Sequence, residues 1–271
     1  LIIPTITNPI FAISTKGTQT VAKERGYSIL LGSTEYSSDA EFDFVSLFYK
    51  KRVDGIIFMG APGNIKSMEF LRKWKIPFVT TWEVLQEKDV NFIAFDNFKI
   101  ARQVTDYLIS LDHRRIAMIT GPGTGTKRAH QRIDGYRQAL DDHGLPCDEK
   151  LIIHKNYTVD DGKEAMRHLL LENEPPTAVF CGNDILALGA MAAAKEGGYI
   201  VGTNISIVGC DNLDIAQVTD PQLTTVHVPA YQMGKMSGDL LISLIKKEVQ
   251  QPQQYILDSS LVIRQSTGKR N

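Results

Sequence analysis

The chain is short of cysteine, with three in 271 residues, at positions 147, 181 and 210. An odd number, widely spaced and without any Cys-x-x-Cys, excludes a disulfide framework and a zinc site of ordinary spacing. Cys147, Cys181 and Cys210 read as reduced cytosolic thiols, two of them in buried strands. No apolar run approaches the ~20 residues that cross a bilayer, so no membrane partner is expected. The opening LIIPTITNP has neither the basic stretch nor the apolar core of a secretory signal. The first residue is not Met and lies inside what reads as a strand, so a fragment or a processed product is expected. Excess charge is lacking too: the formal net charge is −1. Nucleic-acid modules concentrate positive charge, so any action on DNA requires another segment. A catalytic constellation is also missing. There is no Gly-x-Ser-x-Gly, no His-Glu-x-x-His, and no nucleophile with an identifiable base. Neither an enzyme nor a bound metal or cofactor is expected.

What is present is a patterned globular chain, 43% hydrophobic and 23% charged, well away from the composition of disorder. Short apolar runs alternate with amphipathic stretches from end to end. Strands are expected over 28–31, 55–59, 78–81, 92–95, 116–120, 151–154, 178–181, 205–209 and 225–228. Most are continuous apolar runs, which suits strands covered on both faces. Helices fit between them. Gly26 stops one that runs from Phe11 to Arg25. Ser38 and Glu41 form a capping-box pattern before Phe42, Val45 and Phe48. Asp96 or Asn97 starts another, Thr158 caps a third, and Asn183 or Asp184 a fourth. Pro229 suits the first turn of a long helix through Lys247. This alternation predicts an α/β fold with parallel sheets and helices on both faces. Nine strands suit two doubly wound sheets better than one, with a change of lobe near Phe95 and no Pro/Gly/Ser-rich tether. Parallel sheets bind ligands at the carboxyl ends of their strands, so the expected site is a cleft between two lobes.

The stretch from Gly121 to Lys127 imitates a phosphate loop and fails both tests. The Walker pattern needs Gly at 126 and Ser or Thr at 128, where Thr126 and Arg128 stand; the dinucleotide fingerprint needs its third Gly at 126. A strand-to-helix loop is the better reading. His113 reads as a helix-end residue facing the negative end of a dipole. His227 sits at a strand end.

The candidate ligand residues are those just beyond the strands: Asn8, Phe11, Trp82, Arg132, Tyr157, Asn183, Asp184 and Asp211. Sugar-like molecules expose many hydroxyls and one or two apolar C–H faces. Carboxylates, amides and a guanidinium fork suit the hydroxyls, and aromatic rings suit the faces. Each has a structural alternative. Asn183, Asp184 and Asp211 could serve as helix caps, Trp82 and Phe11 as core, and Arg132 as a surface ion pair.

The blocks Pro4-Thr-Ile-Thr-Asn-Pro-Ile-Phe-Ala, Arg52-Val-Asp-Gly-Ile-Ile-Phe, Phe95-Asp-Asn, Leu111-Asp-His-Arg-Arg-Ile-Ala and Arg132-Ile-Asp-Gly-Tyr-Arg follow one another along the chain. Phe180-Cys-Gly-Asn-Asp-Ile-Leu-Ala-Leu-Gly, Ile205-Ser-Ile-Val-Gly-Cys-Asp-Asn, Leu223-Thr-Thr-Val and Leu261-Val-Ile-Arg-Gln-Ser-Thr complete the series. In this order they resemble the core of the LacI/GalR transcription regulators over essentially the whole length. Asp112 stands where that family usually has Gly, and Cys210 where Tyr or Phe is usual. The resemblance implies a two-lobed fold like that of type I periplasmic binding proteins. It implies lobes of 1–95 plus 229–257 and 96–228 plus 258–271, with crossings near Phe95, Val228 and Leu257. It implies a small-molecule effector, a sugar or sugar derivative, with Asn8, Phe11, Trp82, Arg132, Tyr157, Asn183 and Asp211 at the effector positions. A homodimer, a cytoplasmic location and operator DNA reached through an N-terminal helix-turn-helix outside these residues are also implied. The alternative is a sugar-binding protein of a transport system, which shares the fold and the early blocks; the last two blocks look like those of regulators.

Overall fold

A computed structural model describes residues 1–122 and 127–270. The chain falls into two compact units. The first holds Leu1–Asp96 and Pro229–Asp258, and Lys127 and Arg128 cluster with it; the other described residues form the second.

In the first unit the chain runs β1 (Ile2–Ile3), α1 (Pro9–Glu24), β2 (Gly32–Ser33), α2 (Ser38–Lys50), β3 (Ile56–Met59), α3 (Ile65–Lys73), β4 (Phe78–Thr81) and β5 (Phe92–Ala94). The second unit follows with α4 (Asn97–Ser110), β6 (Ile116–Thr120), α5 (Lys127–Asp142), β7 (Ile152–His154), α6 (Val159–Leu170), β8 (Ala178–Cys181), α7 (Asp184–Glu196), β9 (Ser206–Asp211) and β10 (Thr224–His227). The chain then returns to the first unit for α8 (Ala230–Ile245) and β11 (Gln254–Ile256), and ends in the second with β12 (Ser260–Val262).

Each unit is built on a six-stranded sheet. The orders are β11-β5-β4-β3-β1-β2 and β12-β10-β9-β8-β6-β7. All pairs are parallel except β10 with β12. Strands β3 and β8 are buried along their whole length, as continuous apolar runs with helices on both faces require. One core packs Ile2, Val45, Phe48, Ile56, Phe58 and Leu71. The other gathers Ile119, Met166, Leu169, Val179, Leu186 and Ile207.

Helix starts follow side-chain chemistry. Asn8 caps α1, accepting from the Ile10 N–H at 3.1 Å, with Pro9 in the first turn. Ser37, one residue before the expected Ser38, caps α2 by accepting from the Ala40 N–H. Glu41 therefore does not close a capping box. Its carboxylate turns instead to the N–H groups of Gly63 and Asn64 ahead of α3. Helices α1 and α8 cross in close contact. A Cβ on Gly17 would overlap the Tyr231 carbonyl, and one on Gly234 the Ser14 carbonyl.

Three expectations are corrected. The strand expected over 28–31 forms at Gly32–Ser33, because its pairing partner β1 offers only Ile2 and Ile3. Strand β9 runs on to Asp211 rather than ending at Gly209. His113 is not a charged group at a helix end. It is buried, with Nδ1 2.9 Å from Thr177 Oγ1 and Nε2 2.8 Å from Ser206 Oγ and 3.2 Å from the Gly268 carbonyl. Burial pushes its pKa down, so the ring is a neutral bridge between the sheet and the C-terminal tail.

Candidate functional site

In the first unit the strand-end residues form an aromatic cluster around a buried ion pair. Trp82, just after β4, lies between Phe11 of α1 and Phe95, with ring centroids 5.1 and 6.1 Å away and edge-on geometry. All three rings are buried. Trp82 has φ 76°, a left-handed backbone that is uncommon for a bulky residue. The next residue, Glu83, is buried and accepts from the Ala61 N–H at 3.1 Å. Its Oε1 lies 3.9 Å from Arg128 Nη1. The Arg128 guanidinium also stands 5.5 Å from the Phe11 ring centre and 6.0 Å from that of Tyr36, in cation–π range. Burial raises the pKa of Glu83, and Arg128 is the strongest opposing influence. Asn8 is buried beside this cluster in sequence, its side-chain oxygen engaged as the α1 cap.

The second unit collects polar groups. Arg132, in α5, is 4% exposed. Its Nη1 donates to Asn97 Oδ1 at 2.7 Å and its Nη2 to the Tyr157 hydroxyl at 3.4 Å, while Nε has no hydrogen-bond partner among the described residues. Asn183 caps α7, its Oδ1 accepting from the Leu186 N–H at 2.8 Å. Its Nδ2 is buried without a hydrogen-bond partner among the described residues. Asp184 is 0% exposed. Its carboxylate accepts from the Leu213 N–H at 2.7 Å and from Thr225 Oγ1 at 2.5 Å. Asp211, at the end of β9, is buried with φ 126°.

The structure thus brings Phe11 together with Trp82, and Arg132 with Tyr157; Asp184 is joined to the turn after Asp211. Residue reading did not single out Asn97, Arg128, Thr225 or Arg264 as participants. Asn97 and Arg128 were hidden by their place at helix starts, where capping and surface roles are the ordinary explanations. Thr225 and Arg264 lay inside recognised blocks whose chemistry the sequence does not display. His227 is exposed, its Nδ1 3.5 Å from Asn212 Nδ2. Residues 123–126 of the Gly-rich stretch lie outside the described residues. Among the described residues no cluster of His, Cys, Asp and Glu is arranged to hold a metal ion. No helix among them is long and apolar enough to cross a membrane.

Residues 105–267 match the periplasmic binding protein-like domain. The HTH-type transcriptional repressor CytR of Escherichia coli strain K12 is 33% identical over 267 residues, 98% of this chain and 78% of that protein. The crystal structure of transcription regulator CcpA of Lactococcus lactis superposes with a TM-score of 0.88 at 30% identity, covering 98% of this chain and 97% of that one. A LacI family transcriptional regulator from Enterococcus faecium, solved with bound ribose, superposes with a TM-score of 0.89 at 25% identity, covering 100% and 98%. The chain belongs to the LacI family of transcriptional regulators and corresponds to their effector-binding core. Relatives of this chain include the HTH-type transcriptional repressors CytR and PurR, which are regulators rather than enzymes.

Proposed function

We propose that the chain senses a small polyhydroxylated molecule, a sugar or sugar derivative, and passes that signal to operator binding by an N-terminal helix-turn-helix segment. The observation that carries this reading is Arg132. Its guanidinium is buried and held on two nitrogens, yet keeps a buried N–H without a partner among the described residues. A buried donor left unpaired is costly, and a ligand hydroxyl is a fitting acceptor. In the same unit Asn183 Nδ2 offers a second such donor and Asp211 a carboxylate acceptor. The ribose held by the Enterococcus faecium relative supports this ligand class.

The regulator acts as a homodimer in the cytoplasm and switches between two states. An effector shifts that balance only by its difference in affinity for the two. Calorimetry against pentoses, hexoses, disaccharides and nucleosides tests the reading. Micromolar binding, about −8 kcal/mol, is expected for at least one of them. Asp211→Ala and Arg132→Ala are each expected to weaken it about tenfold or more, the worth of one charged hydrogen bond. No binding across the panel, or unchanged affinity in both variants, refutes the proposal.

A further inference from the structure

Two carboxylates stand at strand ends of the second unit, and their surroundings assign them different work. Asp211 and Asn212 have φ of 126° and 53°, two successive non-glycine residues in the left-handed region. Such a turn persists only where its surroundings over-determine it. Here three elements do so. From α7, Asp184 accepts from the Leu213 N–H at 2.7 Å. From β10, Thr225 gives its hydroxyl hydrogen to Asp184 and accepts from the Asn212 N–H at 3.3 Å. From the segment after β12, Arg264 donates through Nη2 to Asn212 Oδ1 and through Nη1 to the Leu223 carbonyl, both at 2.7 Å. Gly209 completes the fit, since a Cβ there would overlap Asp184 Oδ1.

We propose that Asp184, Thr225 and Arg264 are positioning residues that hold the Asp211–Asn212 turn left-handed and so aim the Asp211 carboxylate at the effector, while Asp184 does not touch the effector. The aiming rests on the function proposed above; the bracing of the turn stands on its own. Only an ionised Asp184 accepts from both donors at once. Burial lifts its pKa to about 6. The charged and titratable groups around it are Arg264, which pulls that value down, the thiols of Cys181 and Cys210, which burial keeps protonated, and Asp211 and Arg132 beside Cys210. The brace is therefore whole above about pH 6 and loosens below it.

Amide hydrogen exchange on the whole chain tests this without any effector. In Asp184→Asn the amides of Asn212 and Leu213 are expected to exchange about tenfold faster or more near neutral pH, with β6 and β8 unchanged. The wild type, corrected for intrinsic rates, reaches the same loosening at about pH 5.5, and the variant shows no such step. Thr225→Val, nearly isosteric, loosens Asn212 alone and serves if Asp184→Asn does not fold. Equal acceleration through the unit, or matching pH profiles, overturns the brace. With D-ribose as probe, Asp184→Asn weakens binding in the wild type and has no further effect in Asp211→Ala. A full effect in that background overturns the aiming. If no panel sugar binds, the proposed function falls while the exchange result still decides the brace.

Discussion

At the residue scale, burial of ionisable groups sets the sharpest expectations. His113 has its pKa lowered below the ordinary 6.5 by burial. As pH falls, the unfolded chain takes up the proton first, so it binds more protons than the folded one and stability declines from about pH 6.5 downward. His113→Gln lacks that component. Urea unfolding is expected to show the gap between wild type and variant narrowing from neutral pH to about pH 5; parallel pH dependence refutes this. Glu83 and Arg128 form a buried pair. Removing one member strands the other's charge, so Arg128→Met is expected to lose about 3–5 kcal/mol of stability. The double variant with Glu83→Gln recovers part of that, measured by the same unfolding curves.

Much of this was illegible in the residues because it depends on what each side chain meets. His113 follows a helix, and that position alone suggests the dipole. Only the fold sets Thr177, Ser206 and Gly268 around its ring. Asp112 is a contrary case. Its φ of 66° explains why a Gly usually occupies that place in the family, and Asp is among the few residues that tolerate it.

At the element scale, strands with continuous apolar runs were the most legible. Phe78–Thr81, Ile116–Thr120 and Ala178–Cys181 fall where the pattern puts them. Helix α3 and strands β11 and β12 escaped notice. Helix α3 is short and mostly polar, IKSMEFLRK, and β11 is exposed at every residue. An element that buries little leaves little periodicity to read. The crossing of α1 and α8 gives a direct test. Gly17→Ala must push a methyl into the Tyr231 carbonyl and to within 2.9 Å of the Lys235 nitrogen. Overpacking of this kind costs about 1–3 kcal/mol. A fall in Tm of several degrees is expected in a thermal melt, and an unchanged Tm argues against the close approach.

At the scale of the whole molecule, neither unit is a single stretch of sequence. Apart from Lys127 and Arg128, which cluster with the first unit, the chain leaves that unit after Asp96, re-enters it at Pro229 and leaves it again after Asp258. Helix α8 packs on β3, β4 and β5, and β11 pairs with β5 from Gln254↔Phe92 to Ile256↔Ala94. A chain ending at Asp96 therefore lacks both a helical layer and an edge strand, and is expected to show no cooperative unfolding by circular dichroism. A sharp transition in that fragment refutes the dependence. The polar and aromatic groups at strand ends were legible one at a time, because a parallel sheet fixes where such residues accumulate. Which of them grip one another was not, since those contacts join residues far apart in sequence, such as Asp184 with Thr225.

The late return of α8 and β11 also bears on how the protein is made. During synthesis the ribosome releases the first five strands long before residues 230–256 exist. Until then the nascent chain carries an open β5 edge and an uncovered face of α1, both invitations to pair with the wrong neighbour. The second unit waits as well, for β12 and for the tail that His113 binds. Both units therefore close only once residues 230–268 have emerged, and translation cut short before them leaves neither unit finished. A cell making this regulator has reason to hold its unfinished chains under chaperone guard.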